Sequence, residues 1–485
     1  MNFKFIFNMD NKIITFISKI FLIITVIGIN SLLILQGQTT YTLTIEYKSF
    51  PVSKFEISST YKGVWNRVDE VMTDSNGIAK WYFPAKAHPG IYKIKLMEEL
   101  GKEYMFIYNK ENITIIYPDL NGEEQVKYLQ SKENELLSQY QKLQKDFFNI
   151  SDIAFSFPSN DKFYKIILSE YKSRLKKINS FVNNLKKNKP YMLVSKLVAF
   201  EWREGLQPEP GLNLDERKKY ISNNYFKGVD FSDTTLLYFP SINDFVSNYF
   251  GLQIMPTDSR EMAQTKYKIA CDTILNRTKN YPDINSFIID FIIEGMERIG
   301  FEDVIEHIYE NYISEVTCDD YDTPVIHRAK KRVAQKKLFV KGAQMPNIFV
   351  PDSNNNIVSL DEINAENIVL LFWASNCNHC TKEIPEFHKW YQEYNASKGY
   401  KKGSDMIKPL EIFAVSLDEN AEEWKKYIRE NELDWINVCD FQKWNGQAAL
   451  KYSIFGTPTY IVMDKDKRLV GVPTNFALLK LLIEK

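Results

Sequence analysis

The sequence predicts a multidomain chain: a small β-sandwich, then a helical domain, then an α/β domain at the C-terminus. Three observations carry this. A length of 485 residues exceeds what one hydrophobic core serves. Hydrophobic content of 44%, with 14% aromatic residues, is the composition of globular domains and not of a disordered chain. The apolar pattern also changes twice, from alternation, to three-and-four spacing, to strands alternating with helices.

Each part can be justified in order. At the N-terminus, Lys12 and Lys19 precede sixteen uncharged residues, Ile20–Leu35. That run suits a signal-peptide core and falls short of the ~20 residues of a membrane span. Residues 1–37 are therefore expected to direct export to the periplasm or cell envelope. They are either removed as a signal peptide or kept as an inner-membrane anchor through residues 20–35. Residues 41–118 contain six short alternating runs, "YTLTIEY" to "ITIIY", divided by turn signals such as "DSNG" and "HPG". This is the pattern of a β-sandwich. Residues 122–337 switch to amphipathic helical spacing from "VKYLQSKENELLSQYQKLQ" onward, punctuated by prolines. Residues 342–485 alternate buried-strand runs, "IVLLFW" and "EIFAVSL", with helical runs, and close on a hairpin and a helix. Such a pattern means a central sheet with helices on its faces.

Charge excludes some functions. The 61 basic and 62 acidic residues are mixed along the chain, so no nucleic-acid surface is indicated. Basic runs such as "RAKKRVAQKK" read as solvated helix faces. His88, His307 and His327 read as turn, structural or surface residues.

Five cysteines are too few for a disulfide-built scaffold of this size. Cys377 and Cys380, in "FWASNCNHCTKEIP", are the one closely spaced pair. A zinc site wants four ligands, and His379 and His388 do not complete one, so no metal and no cofactor is expected. As a structural staple, a loop this short restrains little chain. The remaining reading is a reactive dithiol. Cys377 at a helix N-terminus would ionise readily, and Cys380, one turn on, would resolve a mixed disulfide. His379 would add a polar, partly cationic neighbour. Glu383, another turn along, could exchange protons with the second sulfur. Thr457–Pro458 precede a strand, where a cis bond would expose the Thr457 backbone to an extended substrate. Trp373, His379 and Thr457 are accordingly expected at the substrate-binding face. Cys439 reads as a buried free thiol, and pairing of Cys271 with Cys318 stays open.

From Gly342 to Lys485 the chain resembles the thioredoxin superfamily, in its exported TlpA/ResA-like branch. The elements are "GAQMPNIFV", "NNNIVSLDEI", "LLFWASNCNHC", Glu383 with Pro385, and "GTPTYIVMD". The resemblance implies a thioredoxin fold and thiol–disulfide exchange. Cys377 then matches the attacking cysteine, Cys380 the resolving one, Glu383 the active-site acid and Pro458 the cis-proline. Its partners would be protein thiols or disulfides and a membrane or periplasmic redox partner. Two departures stand out. Asn376 replaces the bulky residue usual before the first cysteine. Asn378–His379 replaces the Gly–Pro of reducing thioredoxins and is closer to oxidising and isomerising members, which leaves the direction of electron flow open. The rival function is an extracytoplasmic binding or scaffold protein with a vestigial dithiol. A thiol peroxidase would need a Pro-x-x-x-Thr-x-x-Cys context that "ASNCNHC" lacks.

Overall fold

The computed structural model describes residues 41–49, 51–97, 102–118, 126–203, 205–314 and 323–485. The predicted export segment and Cys318 lie outside the described residues. The chain divides into two compact units, Met1–Gln253 and Ile254–Lys485. The helical span expected over 122–337 is therefore shared between them.

Among its described residues the first unit has eight strands: β1 (Thr42–Glu46), β2 (Lys54–Tyr61), β3 (Val64–Met72), β4 (Ile78–Tyr82), β5 (Gly90–Leu96), β6 (Glu103–Tyr108), β7 (Ile113–Ile116) and β8 (Lys127–Leu129). They form two four-stranded sheets, in the orders β4-β1-β7-β8 and β3-β2-β5-β6. Alternate side chains of both sheets, among them Leu43, Ile45, Phe55, Ile57, Ile94, Phe106 and Ile115, share one buried core. Gly77 closes the turn before β4 at φ 74°, where a Cβ would collide with the Tyr47 carbonyl. Two strands lack the expected signal. β3 is an edge strand whose residues are mostly exposed, so its sequence does not alternate. "KYL" pairs with β7 as β8, and the helix expected there starts only after Ser131. The Ser131 side chain caps it by accepting the Asn134 N–H.

Among the described residues five α-helices follow: α1 (Lys132–Ser156), α2 (Tyr164–Asn188), α3 (Leu193–Glu201), α4 (Leu214–Asn224) and α5 (Ser241–Gln253). The Glu133 carboxylate, buried in α1, accepts the first N–H groups of α3 from Leu193 (3.1 Å) and Val194 (2.8 Å). An acidic side chain there satisfies orphan donors and meets the positive end of the helix dipole.

The second unit opens with α6 (Arg260–Thr278), α7 (Pro282–Ile299), α8 (Glu302–Ile308) and α9 (Pro324–Leu338). α9 carries the basic run, which is not simply solvated. Arg328 pairs with Glu297 (3.2 Å), Arg332 with Glu302 (2.6 Å) and Lys337 with Glu310 (2.7 Å), and Lys336 pairs with Asp303 and Glu306. These pairs tie α9 to α7, to α8 and to the turn that follows α8. Each is partly exposed, so each contributes little alone.

The α/β part places β9 (Phe349–Pro351) and β10 (Ile357–Ser359) as a hairpin before a five-stranded sheet. The sheet comprises β11 (Ala365–Trp373), β12 (Lys408–Ser416), β13 (Ile436–Cys439), β14 (Thr459–Asp464) and β15 (Leu469–Gly471), in the order β13-β12-β11-β14-β15. β11, β12 and β13 run parallel, whereas β14 and β15 run antiparallel to their neighbours. Along β11, Ile368, Leu370 and Phe372 enter one core while Val369, Leu371 and Trp373 enter the other. Burial on both faces explains the unbroken apolar run. Helices α10 (Asn378–Ser397) and α13 (Phe476–Ile483) cover one face. The short α12 (Gln447–Lys451) covers the other, and α11 (Ala421–Glu430) buries Trp424 in the same core as Val369, Leu371 and Trp373.

Helix α9 reaches this sheet. Leu338 and Phe339 pack on the core beneath α12, and the Arg332 guanidinium stacks 4.8 Å from the Phe455 ring. A fragment starting at residue 342 loses those contacts. Thermal melts should therefore place fragment 254–485 roughly 5 °C or more above fragment 342–485. Equal midpoints would show that the helices contribute nothing to the sheet's stability.

Candidate active site

β11 ends at Trp373, and the chain turns through Ala374, Ser375 and Asn376 into α10, with Cys377 as its N-cap residue. The Cys377 Sγ accepts the Cys380 N–H at 3.2 Å, so the sulfur occupies the position of a capping oxygen. Cys377 and Cys380 are joined as a disulfide with Cα atoms 5.2 Å apart. Cys377 is half-buried, whereas Cys380 has no exposed surface. Attack from outside therefore reaches one sulfur before the other.

The loop is held from below by a residue that carries no sequence motif. Asp418 follows β12 and is 2% exposed. Its carboxylate accepts the Ser375 N–H (3.0 Å), the Ser375 hydroxyl (2.6 Å) and the Ser416 hydroxyl (2.5 Å). Its position at the C-terminal end of a parallel strand, where sites of α/β sheets collect, is the one available signal.

The second wall comes from the segment before β14. The Thr457–Pro458 peptide bond is cis, and the Thr457 carbonyl oxygen lies 3.5 Å from Cys377 Sγ. The next strand supplies Tyr460, which is fully buried and donates its hydroxyl hydrogen bond to Glu383 Oε2 at 2.7 Å. Burial, and secondarily the Glu383 carboxylate, push the Tyr460 phenol up, so it stays a donor. Tyr460, like Asp418, carries no motif, and its place two residues after Pro458 is the only hint.

Of the residues expected at the site, Cys377, Cys380, Thr457 and Pro458 converge, and Glu383 lies one turn along α10. His379 is exposed between the cysteines. Trp373 requires a correction. It has 0% exposure and its ring packs 5.3 Å from that of Tyr427, so it has no surface with which to touch a docked protein. The residue belongs to the core under the loop. Cys439 is buried, and burial pushes its thiol up to about 11. Cys271 is also a buried free thiol, pushed up by burial. His388 pairs with Asp434 (2.7 Å) and His307 with Asp272 (2.7 Å), which accounts for both without a metal. Among the described residues no cluster of His, Cys, Asp or Glu could hold a metal ion, and no helix is long and apolar enough to cross a membrane.

Comparison with known proteins agrees with this geometry. A thioredoxin-like family model matches residues 365–469. The thiol–disulfide oxidoreductase ResA of Bacillus thuringiensis subsp. konkukian is 25% identical over 129 residues. The match covers 27% of this chain and 66% of that relative, so this chain spans about two thirds of its length. ResA of Bacillus subtilis is 23% identical over 142 residues, covering 29% of this chain and 72% of that protein. Among solved structures, the thioredoxin domain of a thiol–disulfide oxidoreductase from Bacteroides vulgatus is 29% identical at a TM-score of 0.26. It covers 30% of this chain and 96% of its own. The family match and the two ResA relatives support a thioredoxin-like, ResA-like domain at the C-terminus of this chain.

Proposed function

We propose that this protein is an exported thiol–disulfide oxidoreductase that exchanges disulfides with protein substrates through its Cys-Asn-His-Cys dithiol. The observation that carries the reading is the asymmetry of the pair: Cys377 Sγ is half-buried at a helix N-cap, and Cys380 is closed off behind it. In the reducing direction, the Cys377 thiolate attacks one sulfur of a substrate disulfide. A Cys377–substrate bond forms, the substrate bond breaks, and one substrate sulfur leaves as thiolate. Cys380 then gives up its proton and attacks Cys377 Sγ. The second substrate thiol is released and the Cys377–Cys380 disulfide closes, so two electrons pass from dithiol to substrate. The oxidising direction is the same sequence reversed. The helix N-terminus favours the first thiolate. The Thr457 carbonyl beside Cys377 supplies a main-chain acceptor for an extended substrate segment.

Glu383 is the acid–base group in this scheme, held by the Tyr460 hydroxyl. Glu383→Gln should slow turnover of insulin disulfides by roughly 10- to 100-fold with an unchanged melt. Tyr460→Phe should give a smaller loss, because the carboxylate survives without its anchor. An insulin-reduction assay on the full chain, with the dithiol's reduction potential measured alongside, tests the whole reading. No turnover in either direction would remove it.

A further inference from the structure

Between the buried Ile454 and Tyr460, residues 455–459 are partly exposed along their whole length, and they carry the Thr457 carbonyl that faces Cys377. Within this segment the Thr459 hydroxyl donates to the Gly456 carbonyl at 2.8 Å. Phe455 is its largest side chain, yet among the described residues Phe455 belongs to neither core of the sheet. The ring is held from outside instead, by Arg332 of α9, whose guanidinium lies 4.8 Å from the ring centroid. One turn further along α9, Gln335 donates to the Tyr452 carbonyl at 3.5 Å. A single face of α9 therefore meets the chain that leads into the segment twice. Arg332 is itself fixed from behind. Its Nη1 donates to Glu302 of α8 at 2.6 Å, and its Nε to Glu297 of α7 at 3.2 Å. A planar guanidinium so forked cannot swing off the ring without giving up both carboxylates. These pairs are too exposed to stabilise the fold much, but they set where the guanidinium stands.

We propose that Arg332 is a positioning residue for substrate docking: through Phe455 it holds the main chain of Gly456 and Thr457 where an extended protein substrate pairs with it. This rests on the thiol–disulfide exchange proposed above, and it makes α7, α8 and α9 part of the docking apparatus. Phe455 lies two residues before Thr457, so the ring's placement sets the direction in which the chain enters the docking position. Freed from Arg332, the segment divides its time among several placements, and a substrate binds only the competent one. Apparent affinity falls by the fraction of time spent elsewhere. The chemistry at the Cys377 sulfur, which the helix N-terminus governs, is left as it was.

Steady-state reduction of insulin disulfides by the full chain, well below the melting point of every variant, tests this. Arg332→Met keeps an apolar stem and removes both the fork and the charge. It should raise KM for insulin about three- to tenfold and change kcat by less than about twofold. Phe455→Leu should do the same from the other side of the contact. The double variant should be no worse than either single one, because both break one interaction. Arg332→Lys, which keeps a cation without the fork, should fall between Arg332→Met and the unmodified protein. Alkylation of reduced Cys377 by iodoacetamide should stay within about twofold of the unmodified rate throughout, since a small reagent does not dock. Normal turnover with an unchanged KM in Arg332→Met overturns this inference alone, and so do additive effects in the double variant. Lost Cys377 reactivity also overturns it, by placing the effect at the sulfur. An unmodified protein that turns over no insulin removes the exchange reading and this inference with it. If Arg332→Met fails to fold, Phe455→Leu and Arg332→Lys carry the same KM comparison.

Discussion

Cys377→Ser should abolish disulfide exchange, whereas Cys380→Ser should accumulate mixed disulfides with protein substrates. The two losses differ because the two sulfurs differ in access. Cys377 is half-buried and faces the Thr457 carbonyl, and Cys380 has no exposed surface. Removing the first sulfur removes the attack itself. Removing the second leaves the attack intact and deletes the step that releases product. Non-reducing electrophoresis after incubation with a disulfide substrate separates these outcomes. Alkylation of the reduced protein, followed by peptide mapping, gives the order directly. Cys377 should be modified faster than Cys380 near neutral pH, by about tenfold or more, because the helix N-terminus favours its thiolate and Cys380 is occluded. Faster modification of Cys380 would reverse the roles. If neither cysteine reacts faster than a free thiol, the binding or scaffold reading gains.

Much of the α/β domain was legible because its constraints are local. "IVLLFW" is apolar throughout, since β11 is covered on both faces, and Cys377 follows it at a helix start that its own sulfur caps. The first unit was legible wherever a strand has one wet face and one dry face. β3 lies at a sheet edge with little to bury, so alternation was never imposed on it. β8 is three residues long and shares its apolar residues with the helix pattern that follows. Long-range pairs left no trace at all. Nothing near Glu383 announces Tyr460, 77 positions away, and nothing in "RAKKRVAQKK" names Glu297 or Glu302 as its partners. Trp373 shows the opposite failure, since nearness in sequence to the cysteines suggested a surface role for a side chain that the sheet points inward.

Asp418→Ala should be the most damaging change among residues that never touch a substrate. The carboxylate holds three donors, the Ser375 N–H, the Ser375 hydroxyl and the Ser416 hydroxyl, in a place with 2% exposure. Alanine removes the acceptor that all three share. Unsatisfied buried donors of this kind should lower stability by about 3 kcal/mol in urea unfolding. Asp418→Asn keeps one acceptor oxygen and should cost about half of that. The second effect is on rate. Ser375 sits two residues before Cys377, so a loosened Ser375 shifts the sulfur relative to the Thr457 carbonyl 3.5 Å away. Misplacement of that size typically costs on the order of tenfold or more in rate. Measuring insulin reduction well below the new melting point separates the two effects. A slow but folded Asp418→Ala protein would make Asp418 a positioning residue for Cys377. A folded variant with full activity would mean that the loop keeps its shape without this carboxylate, and the assignment would fail.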